Sequence, residues 1–139
     1  MTKRLFVYGS LKKGFGNHSL LEDSLFICKA LTIQPLVLID LGSFPAVLME
    51  KGESQVSGEV YEVTDSVFES IEHLEGYPSF YNRTDIPVLL NPGTDGETVE
   101  AIPIYHLNRE SGYGDRSQVV KDGIWREHVY SKDRGYYHG

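Results

Sequence analysis

The chain has 139 residues, of which 40% are apolar and 24% charged, an ordinary composition for a soluble globular protein. This length suits one hydrophobic core, so we expect a single domain over 1–139. The net charge is -7 and no basic cluster extends beyond Lys12-Lys13, which argues against nucleic acid or an anionic membrane as a partner. Cys28 is the only cysteine and strand-like sequence begins almost at once, which favours a cytoplasmic protein. The oligomeric state stays open.

The first informative stretch lies close to the N-terminus. Residues 5–8 are apolar and partly β-branched, which predicts a buried strand that ends at Gly9. Glycine permits a sharp turn, and such a turn leaves backbone N–H groups available to an anion. Ser10 adds a hydroxyl, so residues 8–11 are a candidate loop for a carboxylate or an oxyanion. The alternative is an ordinary strand-to-loop turn.

Short apolar runs separated by turn residues predict several elements in the next part of the chain. Residues 17–23 are compatible with one or two helical turns. The predicted strands cover residues 25–33, 36–39, 47–49 and 56–63. We expect the first two to be separate strands, because Pro35 interrupts the run.

The hydrophobic period then changes to that of a helix. One apolar face is formed by Val67, Phe68, Ile71 and Leu74. Ser66 and Glu69 have the spacing of a capping box, with Thr64 and Asp65 as rival N-caps. Gly76 is well placed to end the helix.

A hairpin and a less regular tail complete the chain. Residues 81–90 and 99–107 flank a turn-rich segment and predict two paired strands. In the tail we expect a short helix or extended segment over 124–129, with Trp125 and Tyr130 covering part of the core. Many short strands, one clear helix and no strand–helix alternation predict a mixed sheet or partly closed barrel.

Glu75 lies where a carboxylate is locally unfavourable. At 100° per residue it is about 20° from Phe68 and about 40° from Ile71, on the face expected to be buried. It also lies in the last turn, where the helix dipole disfavours an anion. Burial would raise its pKa toward that of a useful general base, and an anion-binding loop beside such a base suits acyl chemistry on an amino acid. The alternatives are a side chain that leans into water, or an ion pair with Arg83.

The other candidates carry weaker signals. The five histidines show no metal-ligand spacing. Cys28 lies in an apolar run, where a thiol usually packs and does not react. Tyr81 and Arg83 share one side of a predicted strand and, with Tyr105, are candidates for lining a substrate site. The alternative for these side chains is ordinary packing and pairing.

Taken together, the motifs resemble the γ-glutamyl cyclotransferase-like superfamily, and most closely its branch of γ-glutamylamine cyclotransferase and AIG2-like proteins. The resemblance covers about residues 4–127. It rests on these motifs, in the family's order: Phe6-Val7-Tyr8-Gly9-Ser10-Leu11-Lys12, Phe44-Pro45-Ala46, Gly58-Glu59-Val60-Tyr61, Leu74-Glu75-Gly76-Tyr77, Tyr81-Asn82-Arg83 and Gly123-Ile124-Trp125-Arg126. Ile124 departs from the pattern, since the family commonly has an acidic residue there.

The resemblance implies an α+β fold, a mixed α/β roll in which a small mixed β-sheet closes toward a barrel with a few flanking helices. It implies that Tyr8, Gly9, Ser10 and Leu11 bind a small γ-glutamyl substrate and that Glu75 accepts and donates the proton. In the implied reaction the α-amine attacks its own side-chain amide, releasing 5-oxoproline and an amine or amino acid with no metal or cofactor. The alternatives are a non-catalytic module for a γ-glutamyl or small carboxylate ligand, and a related amide-cleaving or acyl-transfer reaction.

Overall fold

The structure is a computed structural model that describes residues 2–9, 11–15, 17–41, 44–107, 119–126, 129–131 and 136–138. Its strands are β1 (Thr2–Val7), β2 (Leu25–Asp40), β3 (Pro45–Lys51), β4 (Ser54–Thr64), β5 (Tyr81–Leu90), β6 (Thr98–Leu107), β7 (Val129–Ser131) and β8 (Tyr136–His138). The described part holds one α-helix, α1 (Asp65–Glu75), and a 3₁₀ helix (His18–Leu21) within the predicted helical segment. Neither of these helices is long and apolar enough to cross a membrane.

The main sheet closes into a barrel. Its strand order is β3-β2-β4-β1-β6-β5, and β5 also pairs with β2, so that β2, β4, β1, β6 and β5 form a closed ring. β1 runs parallel to β6 and antiparallel to β4, which makes the sheet mixed. The predicted mixed sheet closing toward a barrel is therefore confirmed, and β3 extends it beyond the ring.

The predicted break near Pro35 is wrong, because β2 is one continuous strand. Pro35 has no N–H to donate to a ladder, and the pairing of β2 with β4 shifts register between Leu31 and Pro35. The shift in register lets β2 continue although Pro35 donates no hydrogen bond. The Pro35 carbonyl still accepts a hydrogen bond from the Gly52 N–H at 3.1 Å. A proline that suggested two strands instead marks an irregularity within one.

Helix α1 has the predicted ends, with the choice of N-cap settled. The Thr64 hydroxyl accepts a hydrogen bond from the Val67 N–H, so Thr64 is the cap and Ser66 is not. Gly76 ends the helix in the left-handed region at a φ of 65°, as expected for a C-terminal glycine. Phe68 and Ile71 are buried, but Leu74 is 44% exposed and departs from the predicted apolar face.

Alternation along the strands divides the core into two layers. The barrel interior contains Phe6, Val56, Val60, Val88, Ile102, Ile104 and Trp125. The outer layer lies between the sheet and α1 and contains Leu5, Val7, Tyr61, Val63, Phe68, Ile71 and Leu107. Trp125 is buried as predicted, residues 124–126 contain no helix, and the Tyr130 side chain lies outside what the structure describes.

Lys12 links the first loop to the C-terminal part of the domain. Its ammonium group donates to the Trp125 carbonyl at 2.9 Å and lies 4.8 Å from the centroid of the Phe15 ring. Lys12 is itself buried, and burial lowers its pKa, with nearby Glu59 opposing that shift. The two ends of the family-like sequence pattern therefore meet in one contact.

Gly58→Ala is expected to destabilise the barrel. A Cβ at this position in β4 would lie 2.3 Å from the Val7 carbonyl oxygen and 2.6 Å from the Phe6 ring. Forcing an atom into a packed site costs about 1–3 kcal/mol, so the free energy of unfolding in urea should fall by at least that much. Gly96→Ala is the control, because its Cβ would meet nothing closer than Thr94 Oγ1 at 3.7 Å. Equal stability of both variants would contradict the close packing of β4 on β1.

Candidate active site

A cavity of about 490 Å³ opens where β1 ends and α1 ends. Tyr8, Gly9 and Leu11 line it from the loop after β1, and Leu74 and Glu75 from the last turn of α1. The strand starts add Phe44, Pro45, Phe80 and Tyr81, and β6 adds Tyr105. The structure thus brings the predicted loop and the predicted acidic residue to one cavity, while Ser10 lies outside the described residues.

Gly9 ends β1 in a turn as expected, and it is the surrounding space, not a left-handed backbone angle, that requires a glycine here. It is not among the described glycines with positive φ. A Cβ on Gly9 would lie 2.8 Å from Cγ of Pro45, so a side chain would collide with the start of β3. The Lys12 N–H donates to the Gly9 carbonyl at 3.0 Å, which closes the turn that carries Leu11 to the cavity.

Tyr8 lines the cavity, but its hydroxyl is already engaged within the protein. The hydroxyl donates to the Tyr105 carbonyl at 2.7 Å and accepts from the Val47 N–H at 3.2 Å. It therefore joins β6 to β3 from the end of β1. Tyr81 is similar, because its hydroxyl donates to the Pro45 carbonyl at 2.5 Å.

The hydroxyl of Tyr105, unlike those of Tyr8 and Tyr81, makes no hydrogen bond to a described residue. The side chain of Tyr105 is buried and lines the cavity. Burial raises the pKa of the Tyr105 hydroxyl, and nearby Arg83 partly opposes that shift. The hydroxyl is therefore protonated at neutral pH, and it is covered by the surrounding protein although the residue lines the cavity.

Glu75 is the last residue of α1 and the charged member of the described cavity lining. Burial raises the pKa of its carboxyl from an ordinary 4.5 to about 7. The cause is the apolar and aromatic surroundings, which favour the neutral form. The side chain therefore exchanges a proton near neutral pH, as proton transfer to and from a substrate requires.

Arg83 does not line this cavity and does not pair with Glu75. Its guanidinium pairs with the Glu72 carboxylate on the side of α1. It also lies 4.6 Å from the centroid of the Tyr77 ring and 5.0 Å from that of Phe68. Strand alternation predicted that Tyr81 and Arg83 lie on the same side of the strand. It could not predict that Arg83 pairs with Glu72 of α1 and so does not line the cavity.

Sequence reasoning assigned no role to several lining residues. Phe44 and Pro45 were visible as part of a family-like motif, and Leu74 as the neighbour of Glu75, but local pattern gave no reason to place them at a cavity. Among the described residues, no group of three or more His, Cys, Asp or Glu side chains could hold a metal ion.

The comparison with known families matches residues 5–127 to the family described as Gamma-glutamyl cyclotransferase, AIG2-like. The chain belongs to this family, and the sequence resemblance is confirmed. It is 38% identical over 119 residues to Gamma-glutamylaminecyclotransferase C of Danio rerio, covering 78% of each chain. It is 32% identical over 108 residues to Gamma-glutamylaminecyclotransferase of Rattus norvegicus, covering 69% of this chain and 72% of that one.

A solved structure supports the same fold. The crystal structure of an AIG2-like protein from Mus musculus matches with a TM-score of 0.78, at 23% identity, over 99% of this chain and 96% of that one. The predicted γ-glutamyl cyclotransferase-like fold class is thereby confirmed. The names of the relatives support an enzyme of γ-glutamyl cyclotransferase type.

The raised pKa of Glu75 predicts a pH-dependent stability. Between pH 4.5 and about 7 the folded state keeps a proton that the unfolded state has released, so stability falls as pH rises through this window. A difference of this size corresponds to at most about 3 kcal/mol. Glu75→Gln should lack this loss in urea unfolding at pH 4.5 and 8, whereas Glu69→Gln, on the exposed side of α1, should retain it. A wild-type-like pH dependence in Glu75→Gln would show that the carboxyl is not desolvated.

Two tyrosine-to-phenylalanine variants should differ in their effect on stability. Tyr8→Phe leaves the buried Val47 N–H and the Tyr105 carbonyl without their partner, which typically costs about 1–3 kcal/mol for a buried group. Tyr105→Phe removes a hydroxyl that has no described partner, so stability should be unchanged or slightly higher. Thermal and urea unfolding of both variants provide the measurement. Equal destabilisation would mean that the Tyr105 hydroxyl has a structural partner.

Proposed function

We propose that the protein is a γ-glutamyl cyclotransferase that converts a γ-glutamyl amine or amino acid into 5-oxoproline. The observation that carries the proposal is the Glu75 carboxyl, poised to titrate at about pH 7 beside a cavity of about 490 Å³. Family membership supports the reaction type, and the cavity is large enough for a small substrate. No cofactor is part of the proposed reaction.

The reaction needs one bond formed, one bond broken and two protons moved. Glu75 takes a proton from the substrate α-ammonium, and the freed amine attacks the side-chain amide carbon. The carbon–nitrogen bond to the leaving group then breaks, and Glu75 returns its proton to the departing nitrogen. The new ring nitrogen loses its second proton, which the departing amine takes as it becomes an ammonium ion.

The pKa of Glu75 makes the first proton transfer accessible. An α-amino group has a pKa of about 8, so transfer to a carboxylate of pKa 4.5 would be uphill by roughly 5 kcal/mol. With Glu75 at about 7, the same transfer is uphill by only about 1.4 kcal/mol. The same desolvation that makes the carboxyl a stronger base thus removes most of the thermodynamic barrier to activating the amine.

Positioning supplies the rest of the expected rate enhancement. Nucleophile and electrophile belong to one molecule, and holding it in a bent conformation is worth up to about 7–11 kcal/mol in well-oriented reactions. In this proposal Tyr8, Gly9, Ser10 and Leu11 hold the γ-glutamyl group, as the family resemblance implies. Tyr105 contributes its side chain to the wall of the substrate cavity in this proposal.

The reaction is tested by incubating the protein with γ-glutamyl amines and γ-glutamyl amino acids and measuring 5-oxoproline. Glu75→Gln should lower kcat by about 10²–10⁴, the usual contribution of a positioned acid–base group. Glu69→Gln, an isosteric change on the exposed side of the same helix, should leave kcat unchanged. Full activity of Glu75→Gln would overturn the proposed role of this residue.

Two further readouts separate the proposed enzyme from its alternatives. The kcat/KM of the wild type should fall as pH drops below about 7, because protonation removes the base. Thermal stabilisation by γ-glutamyl compounds with no product formed would favour a binding module. Cleavage that releases the amine but yields no 5-oxoproline would indicate a different amide-cleaving reaction.

A further inference from the structure

We propose that His18 is a positioning residue for residues 8–11, which we call the substrate loop. Its imidazole holds the peptide between Leu11 and Lys12, and so keeps Leu11 in place at the wall of the cavity. The inference rests on the proposed function, in which the substrate loop holds the γ-glutamyl group. His18 does not itself line the cavity, whereas its neighbour Asn17 and its partner Leu11 do.

The peptide between Leu11 and Lys12 is held at both of its polar groups. Its N–H, which belongs to Lys12, donates to the Gly9 carbonyl at 3.0 Å. Its carbonyl oxygen, which belongs to Leu11, lies 2.9 Å from Nδ1 of His18. Because a peptide unit is planar, hydrogen bonds on its two opposite sides fix the orientation of the whole unit. The backbone beside Leu11, a buried residue of the cavity lining, is thereby fixed as well.

This contact also determines which nitrogen of the His18 ring carries a proton. A carbonyl oxygen can only accept, so the hydrogen bond to Leu11 requires a proton on Nδ1. The neutral ring then has a bare Nε2, and the charged ring has a proton on each nitrogen. Both forms donate to Leu11, so the contact does not depend on the charge of the ring.

The barrel holds the His18 ring from behind. The ring packs against the ring of Tyr61 in β4, with 5.7 Å between their centroids. The Tyr61 hydroxyl donates to Oε1 of Glu59 at 3.0 Å, and the same oxygen accepts from the Lys13 N–H at 2.9 Å. Strand β4 therefore supports the ring that holds Leu11 and also contacts the chain just after the substrate loop.

The 3₁₀ helix holds the backbone of His18. His18 is the first residue of this helix, and its N–H donates to the Phe15 carbonyl at 3.2 Å. Leu21 ends the helix, is 1% exposed and packs in the outer layer of the core. The backbone and the ring of His18 are thus fixed by groups outside the cavity, while Nδ1 is directed at the substrate loop. Such a residue can set the position of the loop without contacting a ligand.

A positioning role for the loop has a defined kinetic consequence. In the proposed reaction the substrate loop holds the γ-glutamyl group both before and during ring closure. Loss of its position would weaken the binding of the substrate and of the transition state alike. Such a loss raises KM and leaves kcat nearly unchanged.

The test compares His18→Asn with His18→Phe, which separate the hydrogen bond from the packing of the ring. Asparagine keeps an N–H donor at the position of Nδ1 and lacks the ring, whereas phenylalanine keeps a ring and lacks the donor. Both variants are assayed with the γ-glutamyl compound that gives the wild type its highest kcat/KM for 5-oxoproline formation. We expect KM to rise about three- to tenfold in His18→Phe, as the loss of one hydrogen bond typically causes, and to stay within about twofold of the wild type in His18→Asn. In both variants kcat should change by less than about twofold.

His73→Phe is the matched control, because His73 is an exposed residue of α1 that does not line the cavity. It should keep the KM and kcat of the wild type. A second measurement needs no variant: ¹⁵N NMR of the wild-type protein, with the His18 ring assigned through its backbone, should show a proton on Nδ1. A bare Nδ1 with the proton on Nε2 would overturn the proposal even if neither His18 variant folded.

The outcomes distinguish the role of His18 from the proposed function. An unchanged KM in His18→Phe, or a KM in His18→Asn raised as far as that in His18→Phe, would overturn the positioning role and leave the cyclotransferase intact. Absence of 5-oxoproline from every γ-glutamyl compound tested would overturn the proposed function and the role of His18 with it. A KM that rises in His18→Phe and stays low in His18→Asn, with the proton on Nδ1, would establish the role.

Discussion

The hydroxyl of Tyr8 joins strands that share no ladder with one another. It donates to a carbonyl of β6 and accepts from an N–H of β3, while its backbone follows β1 directly. This bridge sets the spacing between the strand ends and so defines the floor of the cavity. Gly9 completes the arrangement, since only a residue without a side chain lets the loop pass Pro45 so closely.

The apolar environment of the cavity produces the chemistry that we propose for Glu75. Desolvation weakens the acidity of Glu75, and the groups responsible for desolvation are the aromatic and aliphatic side chains of the lining. A more polar cavity would return the carboxyl to its ordinary pKa and leave it a poor base toward an ammonium group. The basicity of Glu75 is therefore a result of the composition of the cavity lining.

Much of this arrangement could be predicted from sequence because its causes are local. The strand that ends at Gly9, the helix that ends at Gly76 and the hairpin of β5 and β6 each follow from period and end signals over about ten residues. The inward direction of Glu75 follows from helix geometry alone. For the N-cap of α1, the sequence pattern left Thr64, Asp65 and Ser66 as candidates and could not identify Thr64 as the cap.

The remainder depended on tertiary contacts that no local pattern contains. Pro35 predicted a break, yet β2 pairs with β4 on both sides of a register shift and so remains one strand. Arg83 was correctly placed on a strand, but it pairs with Glu72 of α1 and does not line the cavity. The exposure of Leu74 could not be predicted from period either, because Phe68 and Ile71 on the same helix face are buried.

The contact between Lys12 and Trp125 also constrains how the domain assembles. These residues are 113 positions apart, so the contact closes nearly the whole chain into one loop. During synthesis on the ribosome, the loop after β1 cannot gain this contact until Trp125 has been added. The loop beside the candidate site therefore gains this contact only after the residues of β1 to β6 have been synthesised.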